Sequence, residues 1–207
     1  MKERPILFSS DMVRAILDGR KTQTRRIIKP QPDVIHNGEP YWNVGGYRAW
    51  RHRGIVNPML MGTYNPLICK YGQPGDRNWV KETFIAGKGV GGYAHGVCPD
   101  TNPDGETIDV IYRADGMEVE RLAGPWTPSI RMPRWASRIT LEITGVRVER
   151  LQDISEEDAE AEGCKNSLHL QGGRFARENF EHLWWTINGD GSWEENPWVW
   201  VITFRKI

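Results

Sequence analysis

The sequence predicts an α+β fold: a small, mostly antiparallel β barrel or curved sheet with peripheral helices and long loop insertions. Two observations lead there. The apolar patterning gives the order strand, helix, several strands, two helices, strand, without the regular βαβ units of a doubly wound parallel sheet. The closing run "PWVWVITFRKI" is apolar on both faces, as a strand at the centre of a sheet should be. A length of 207 residues suits one domain spanning 1–207, with insertions at 31–70 and 86–105.

The elements follow in chain order. "RPILF" (Arg4–Phe8) is a short apolar run and predicts a strand. "SSDMVRAILDG" predicts a helix with both ends marked. Ser9 or Ser10 caps it, Asp11 suits its first turn, and Gly19 sits where a left-handed terminal residue is wanted. Val13, Ile16 and Leu17 form its buried stripe. "TRRII" starts a strand that Pro30 and Pro32 stop. Residues 31–70 are rich in Gly, Pro, Asn and aromatics, with weak periodicity. Pro74-Gly75 marks a turn. "NWVKETFI" then predicts one strand, with Trp79, Lys81 and Thr83 on one face and Val80, Glu82 and Phe84 on the other. "TIDVIYRA" is a further strand, and "RITLEITGVRVERLQ" alternates Ile139, Leu141 and Ile143 before an expected bulge or bend at Gly145. "DISEEDAEAEG" predicts a short acidic helix, capped by Ser155 with Asp158 and stopped by Gly163. "RFARENFEHLWWTING" predicts a longer helix with Phe175, Phe180, Leu183, Trp184 and Ile187 facing the core.

Ten Trp and an apolar fraction of 39% provide for a sizeable core. The formal net charge is zero, which argues against a positively coated protein for bulk nucleic-acid binding. The charge is unevenly placed, with eight Lys/Arg against three Asp/Glu in residues 1–30, and five against eleven in residues 151–207. Three Cys, an odd count with no CxxC pair, predict a reduced intracellular protein. "MKERPILFSS" lacks the apolar run of a signal peptide, and no apolar stretch approaches the ~20 residues that span a bilayer. The expected setting is the cytoplasm, with no membrane partner.

The chemistry-bearing stretch is "DGRKTQTRR" (Asp18–Arg26). Lys21 and Thr24 stand three apart, directly after the helix stop. A neutral lysine is a competent base for a weak hydroxyl nucleophile. It is neutral near pH 7 only when desolvated or crowded by cations, and Arg20, Arg25 and Arg26 are placed to crowd it. The plainer reading is a solvated basic turn that complements the helix dipole. In the acidic helix most carboxylates must be solvated, but Glu162, beside Gly163 at its end, suits a proton donor or a partner for a base. "GKGVGG" (Gly87–Gly92) matches GxGxxG, yet no helix follows to receive a phosphate, so it reads as a loop. His95 and Cys98, with Cys69 upstream, lack zinc-site spacing. "PSIRMPRWASR" interleaves Arg131, Arg134 and Arg138 with Trp135, which suits a phosphate and a stacked base, or a plain surface approach to the next strand.

"LDGRKTQTRR" resembles the signature of the ASCH domain, a member of the PUA-like superfamily: Gly-x-Lys-x-x-Thr-x-Arg, here Gly19, Lys21, Thr24 and Arg26. "GQPGDRNWVKETF" resembles the Gly-Asp turn and following strand of these proteins. "PSIRMPRWASRITLEITGVRVERLQDISEEDAEAEG" and "WVWVITF" resemble the long members found in phages and prophages, some labelled morphogenetic. The resemblance implies a PUA-like pseudo-barrel and a nucleoside or RNA partner. Small bacterial ASCH proteins, similar at "ILDGRKTQT", hydrolyse the amide of N(4)-acetylcytidine with a Lys, a Thr and a Glu. Carried over, Lys21 and Thr24 match the first two. Glu162 is the best match for the third, with Glu160 its rival, and no metal or other cofactor is required. Candidate substrate contacts are Arg26 from the signature, Trp79, Lys81 and Glu82 from the matching strand, and Arg131, Arg134 and Trp135 from the basic–aromatic run. The readings thus stand as a metal-independent amidohydrolase of a modified nucleoside, a non-catalytic RNA or nucleotide reader, and a phage accessory protein.

Overall fold

The structure is a computed structural model describing residues 1–32, 34–36, 39–44, 47–50, 68–87, 98–101, 103–116, 125–165 and 175–207. In chain order they carry β1 (Glu3–Leu7), α1 (Ser10–Leu17), β2 (Gln23–Ile27), β3 (Val34–His36), β4 (Glu39–Val44), β5 (Tyr47–Trp50), β6 (Arg77–Lys81), β7 (Phe84–Gly87), β8 (Cys98–Thr101), β9 (Thr107–Tyr112), β10 (Thr140–Arg150), α2 (Glu156–Ala161), α3 (Ala176–Asn188) and β11 (Trp198–Lys206). The fold is α+β. Its main sheet has the order β1-β6-β10-β11-β2, and two smaller sheets have the orders β3-β4-β5 and β7-β9-β8. β1 runs parallel to β6, so the main sheet is mixed, whereas β6–β10 and β2–β11 are antiparallel. β1 and β2 end the order, so of the expected barrel or curved sheet no closed barrel is present among the described residues. The chain divides into two compact units, Met1–Lys21 with Gly75–Glu142 and Arg205–Ile207, and Thr22–Pro74 with Ile143–Phe204.

In the first unit α1 forms where its end signals predict. The Ser9 hydroxyl accepts the Met12 N–H, and Met12, Val13, Ala15 and Ile16 are buried. Gly19, at φ +73°, turns the chain so that the Lys21 N–H returns to the Ala15 carbonyl at 2.9 Å. At the next turn Gly75 has φ +89°, and Asp76 accepts the Lys2 N–H at 2.8 Å and an Arg4 N–H at 2.9 Å, tying that turn to β1. "NWVKETFI" is two strands rather than one. β6 stops at Lys81 and β7 starts at Phe84, where the pairing partner changes to β9. The alternation survives the break, with Asn78, Val80, Glu82 and Phe84 buried.

In the second unit β11 lies inside the sheet order, and Trp198 to Ile202 are buried without a break, as a central strand requires. One of its faces joins Ile28, Cys69, Ile143, Val148, Trp198, Trp200 and Ile202; the other joins Val199 and Val201 to Leu151, Ala159, Phe180, Trp184 and Trp193. β10 runs through Gly145 as one continuous strand. Helix α3 buries Ala176, Phe180 and Trp184 at four-residue spacing, while Phe175, its cap residue, and Ile187, in its last turn, are exposed. The core list read from the sequence is corrected at those two positions.

Candidate functional site

The signature segment enters the second unit as β2. Thr24 pairs with Ile202 and Arg26 with Trp200, so this pair of side chains shares a face with the Ile28–Trp198–Trp200 core. Gln23 and Arg25 point to the opposite face, where Arg25 lies opposite Val201 and its guanidinium carbon is 5.7 Å from the Phe180 ring centroid.

Arg25 is fully buried there. All five of its N–H donors are placed. Nε and one Nη2 proton go to Glu149 Oε1, the other Nη2 proton goes to Asp158 Oδ2 at 2.8 Å, and Nη1 serves Gln23 Oε1 at 2.7 Å and Glu162 Oε1 at 3.3 Å. Arg147 adds a second cation against Glu149 and Asp158. Two guanidiniums therefore face three carboxylates drawn from β10, α2 and the residue that caps α2. What buries Arg25 is the satisfaction of every donor and of its charge, since a buried cation without partners would be prohibitively costly.

Glu162 follows α2 and is buried, whereas Glu160 is exposed. Ser155 caps this helix by accepting the Asp158 N–H at 3.1 Å, and Gly163, at φ +94°, ends it. The Thr22 N–H donates to the Ala161 carbonyl at 2.8 Å, which pins the end of α2 to the start of β2. Glu162 also acts electrostatically on Arg26. Burial pushes the Arg26 guanidinium below its ordinary value, and Tyr71 and Glu162 pull it back up. Among the described residues β2 ends the order of its sheet.

Lys21 belongs to the first unit. It is 2% exposed, and its Nζ lies 5.7 Å from the Phe8 ring centroid.

The remaining candidates fall into two groups within the first unit. Two cations lie near Trp79, with Lys81 Nζ 5.5 Å and Arg134 Cζ 5.9 Å from its ring centroid. Lys81 also donates to the Ile130 carbonyl, Arg134 pairs with Glu3, and Arg131 is exposed nearby in sequence. Trp135 does not join them; it packs against the core of Phe84, Val110, Tyr112, Met132 and Ala136. Glu82 lies on the other side of the strand path from Trp79. It is held there by Arg138, which also grips Asp115 and stacks 3.9 Å from the Tyr112 ring centroid.

Sequence reasoning missed Arg25, Glu149, Asp158 and Tyr71. One signal was present: Asp158 and Glu162 are four apart in a helix and so share a face, a fit for a single cation. Among the described residues no group of three or more His, Cys, Asp or Glu could hold a metal ion. The "GKGVGG" stretch from Lys88 onward and His95 lie outside the described residues. No helix among the described residues is long and apolar enough to cross a membrane. Compared with protein-family models, with curated proteins and with solved structures, the chain matches none.

Proposed function

We propose that the chain is an ASCH-type, PUA-like protein that acts on a modified nucleoside or base. Its reaction is hydrolysis of an acylated exocyclic amine, with N(4)-acetylcytidine as the model substrate. Lys21, as neutral amine, takes the hydroxyl proton of Thr24 or of a water that Thr24 positions. The oxygen attacks the acetyl carbonyl, and Arg26 stabilises the resulting oxyanion. The C–N bond then breaks, and Glu162 relays the proton from Lys21 to the departing amine. If Thr24 carries the acyl group, water releases it as acetate. Glu162 enters this cycle as an acceptor, since it takes a hydrogen bond from Arg25.

One observation carries the reading. Lys21, Thr24 and Glu162, singled out for chemistry from the sequence, are 2%, 1% and 3% exposed. Lysine and glutamate rarely sit at such burial without a specific role or partner. The test is turnover of N(4)-acetylcytidine and related acylated nucleosides by the wild type and by Lys21→Ala, Thr24→Val and Glu162→Gln. Each substitution should cost roughly 10²–10⁴-fold in rate. An inactive wild type, or a fully active Lys21→Ala, refutes the proposal.

A second reading rests on Trp79, with Lys81 and Arg134 near it. A base stacked on that indole with phosphates near the two cations is the usual chemistry of a single-strand reader. RNA oligonucleotides should then bind with an affinity that falls as salt rises and that Trp79→Ala weakens. Binding that ignores both salt and Trp79 removes this reading.

A further inference from the structure

We propose that Arg25 is a positioning residue that fixes the Glu162 carboxylate relative to β2. The proposal rests on the reading in which Glu162 acts in the site. Arg25 touches no substrate in this account; it acts through Glu162.

The geometry of the guanidinium carries the argument. With all five donors used, its plane cannot rotate without breaking a bond. Gln23, on its own strand, and Glu149, on β10, fix it in the sheet. Its two remaining contacts reach Asp158 in α2 and Glu162 at the helix's C-terminal cap, one helical turn apart. Two contacts separated along a helix axis fix both the height of the helix and its rotation. Arg25 shares a peptide bond with Thr24, so the fork that sets Glu162 also sets it relative to the β2 backbone that carries the proposed nucleophile. A lysine would keep the charge but, as a point donor on a flexible stem, could not span these acceptors in one plane.

The experiment compares wild type, Arg25→Lys, Glu162→Gln and the double variant. It reads N(4)-acetylcytidine turnover and hydrogen exchange at the Thr22 and Glu162 amides. Arg25→Lys should lower kcat on the order of 10²-fold with KM little changed, the scale of a misplaced catalytic group. The double variant should be no slower than Glu162→Gln alone, because Arg25 works through that carboxylate. Exchange at the Thr22 and Glu162 amides should quicken in Arg25→Lys. Should Arg25→Lys lose its thermal transition, Gln23→Met supplies the second arm: it removes the acceptor that steadies the Nη1 shared with Glu162, and the same signature is expected. Losses that multiply in the double variant, or unaltered kcat in Arg25→Lys beside an impaired Glu162→Gln, overturn the proposal. An inactive wild type overturns the hydrolase reading instead. Unchanged exchange in Arg25→Lys overturns the positioning role whatever the activity.

Discussion

Arg138 grips Glu82 with two parallel hydrogen bonds, Nε to Oε1 at 3.0 Å and Nη2 to Oε2 at 3.1 Å. The same guanidinium holds Asp115 with a second fork, at 3.0 and 2.7 Å. One cation therefore serves two carboxylates, the more deeply buried of which is Glu82.

That sharing predicts a displaced titration. Burial pushes the Glu82 carboxyl up; the Arg138 hydrogen bond and charge pull it down, Asp115 pushes it up again, and the net shift is upward. Folded protein then holds this proton more tightly than the unfolded chain. Its contribution to stability is present below about pH 4.3 and is lost as pH rises through the raised folded value. A side-chain carbon titration of Glu82 should give a midpoint above about 4.3. A midpoint at or below that value would mean that Arg138 outweighs burial.

Asp158 should behave oppositely. Burial raises its carboxyl, but the Gln23 hydrogen bond and the Arg147 and Arg25 interactions outweigh burial and hold it low. Its stabilisation is present above the ordinary aspartate value of about 3.9 and is lost as pH falls through the depressed folded value. Asp158→Asn should destabilise by about 1–3 kcal/mol near neutrality. The gap from wild type should close in acid, as urea midpoints at neutral and acidic pH would report. A gap independent of pH would show that Asp158 is not held as the charged partner.

Two glycines should answer an alanine scan with opposite signs. Gly19 has φ +73°, so Gly19→Ala strains the turn by about 1–2 kcal/mol although no atom stands within 4 Å of the new methyl. Gly145 lies in ordinary strand conformation, and a methyl there would meet Thr203 at 3.7 Å, a normal contact. Gly145→Ala should therefore stabilise by about 0.5–1 kcal/mol. Thermal melts of the two variants check both signs.

Helix α3 offers a contrast within one element. Trp184 is buried and Ile187 is 50% exposed. Trp184→Ala should cost about 3–5 kcal/mol, and Ile187→Ala should stay within about 0.5 kcal/mol. Comparable losses at both positions would show that the helix buries a different face.

What the sequence made legible was whatever short-range chemistry decides. Ser9 and Gly19 mark the ends of α1, Ser155 and Gly163 those of α2, and the unbroken apolar run of β11 marks a central strand. Local residues and a resemblance singled out Lys21, Thr24 and Glu162, and all three are buried. Decisions made at long range were not legible. The alternation in "NWVKETFI" passes unbroken through Glu82 and Thr83, and only the change of pairing partner to β9 splits it. Arg25 is buried because Glu149, Asp158 and Glu162 arrive from more than a hundred residues away. Nothing beside it in the chain announces them.

The bond from the Thr22 N–H to the Ala161 carbonyl has a consequence beyond the site. β2 ends the order of its sheet, and an uncovered border strand is a template for a strand from another molecule. With six residues, α2 is short enough that losing its anchor to β2 should release it before the sheet melts. Variants that weaken that anchor should therefore declare themselves first in light scattering, as concentration-dependent self-association, while their melting curves still resemble the parent's.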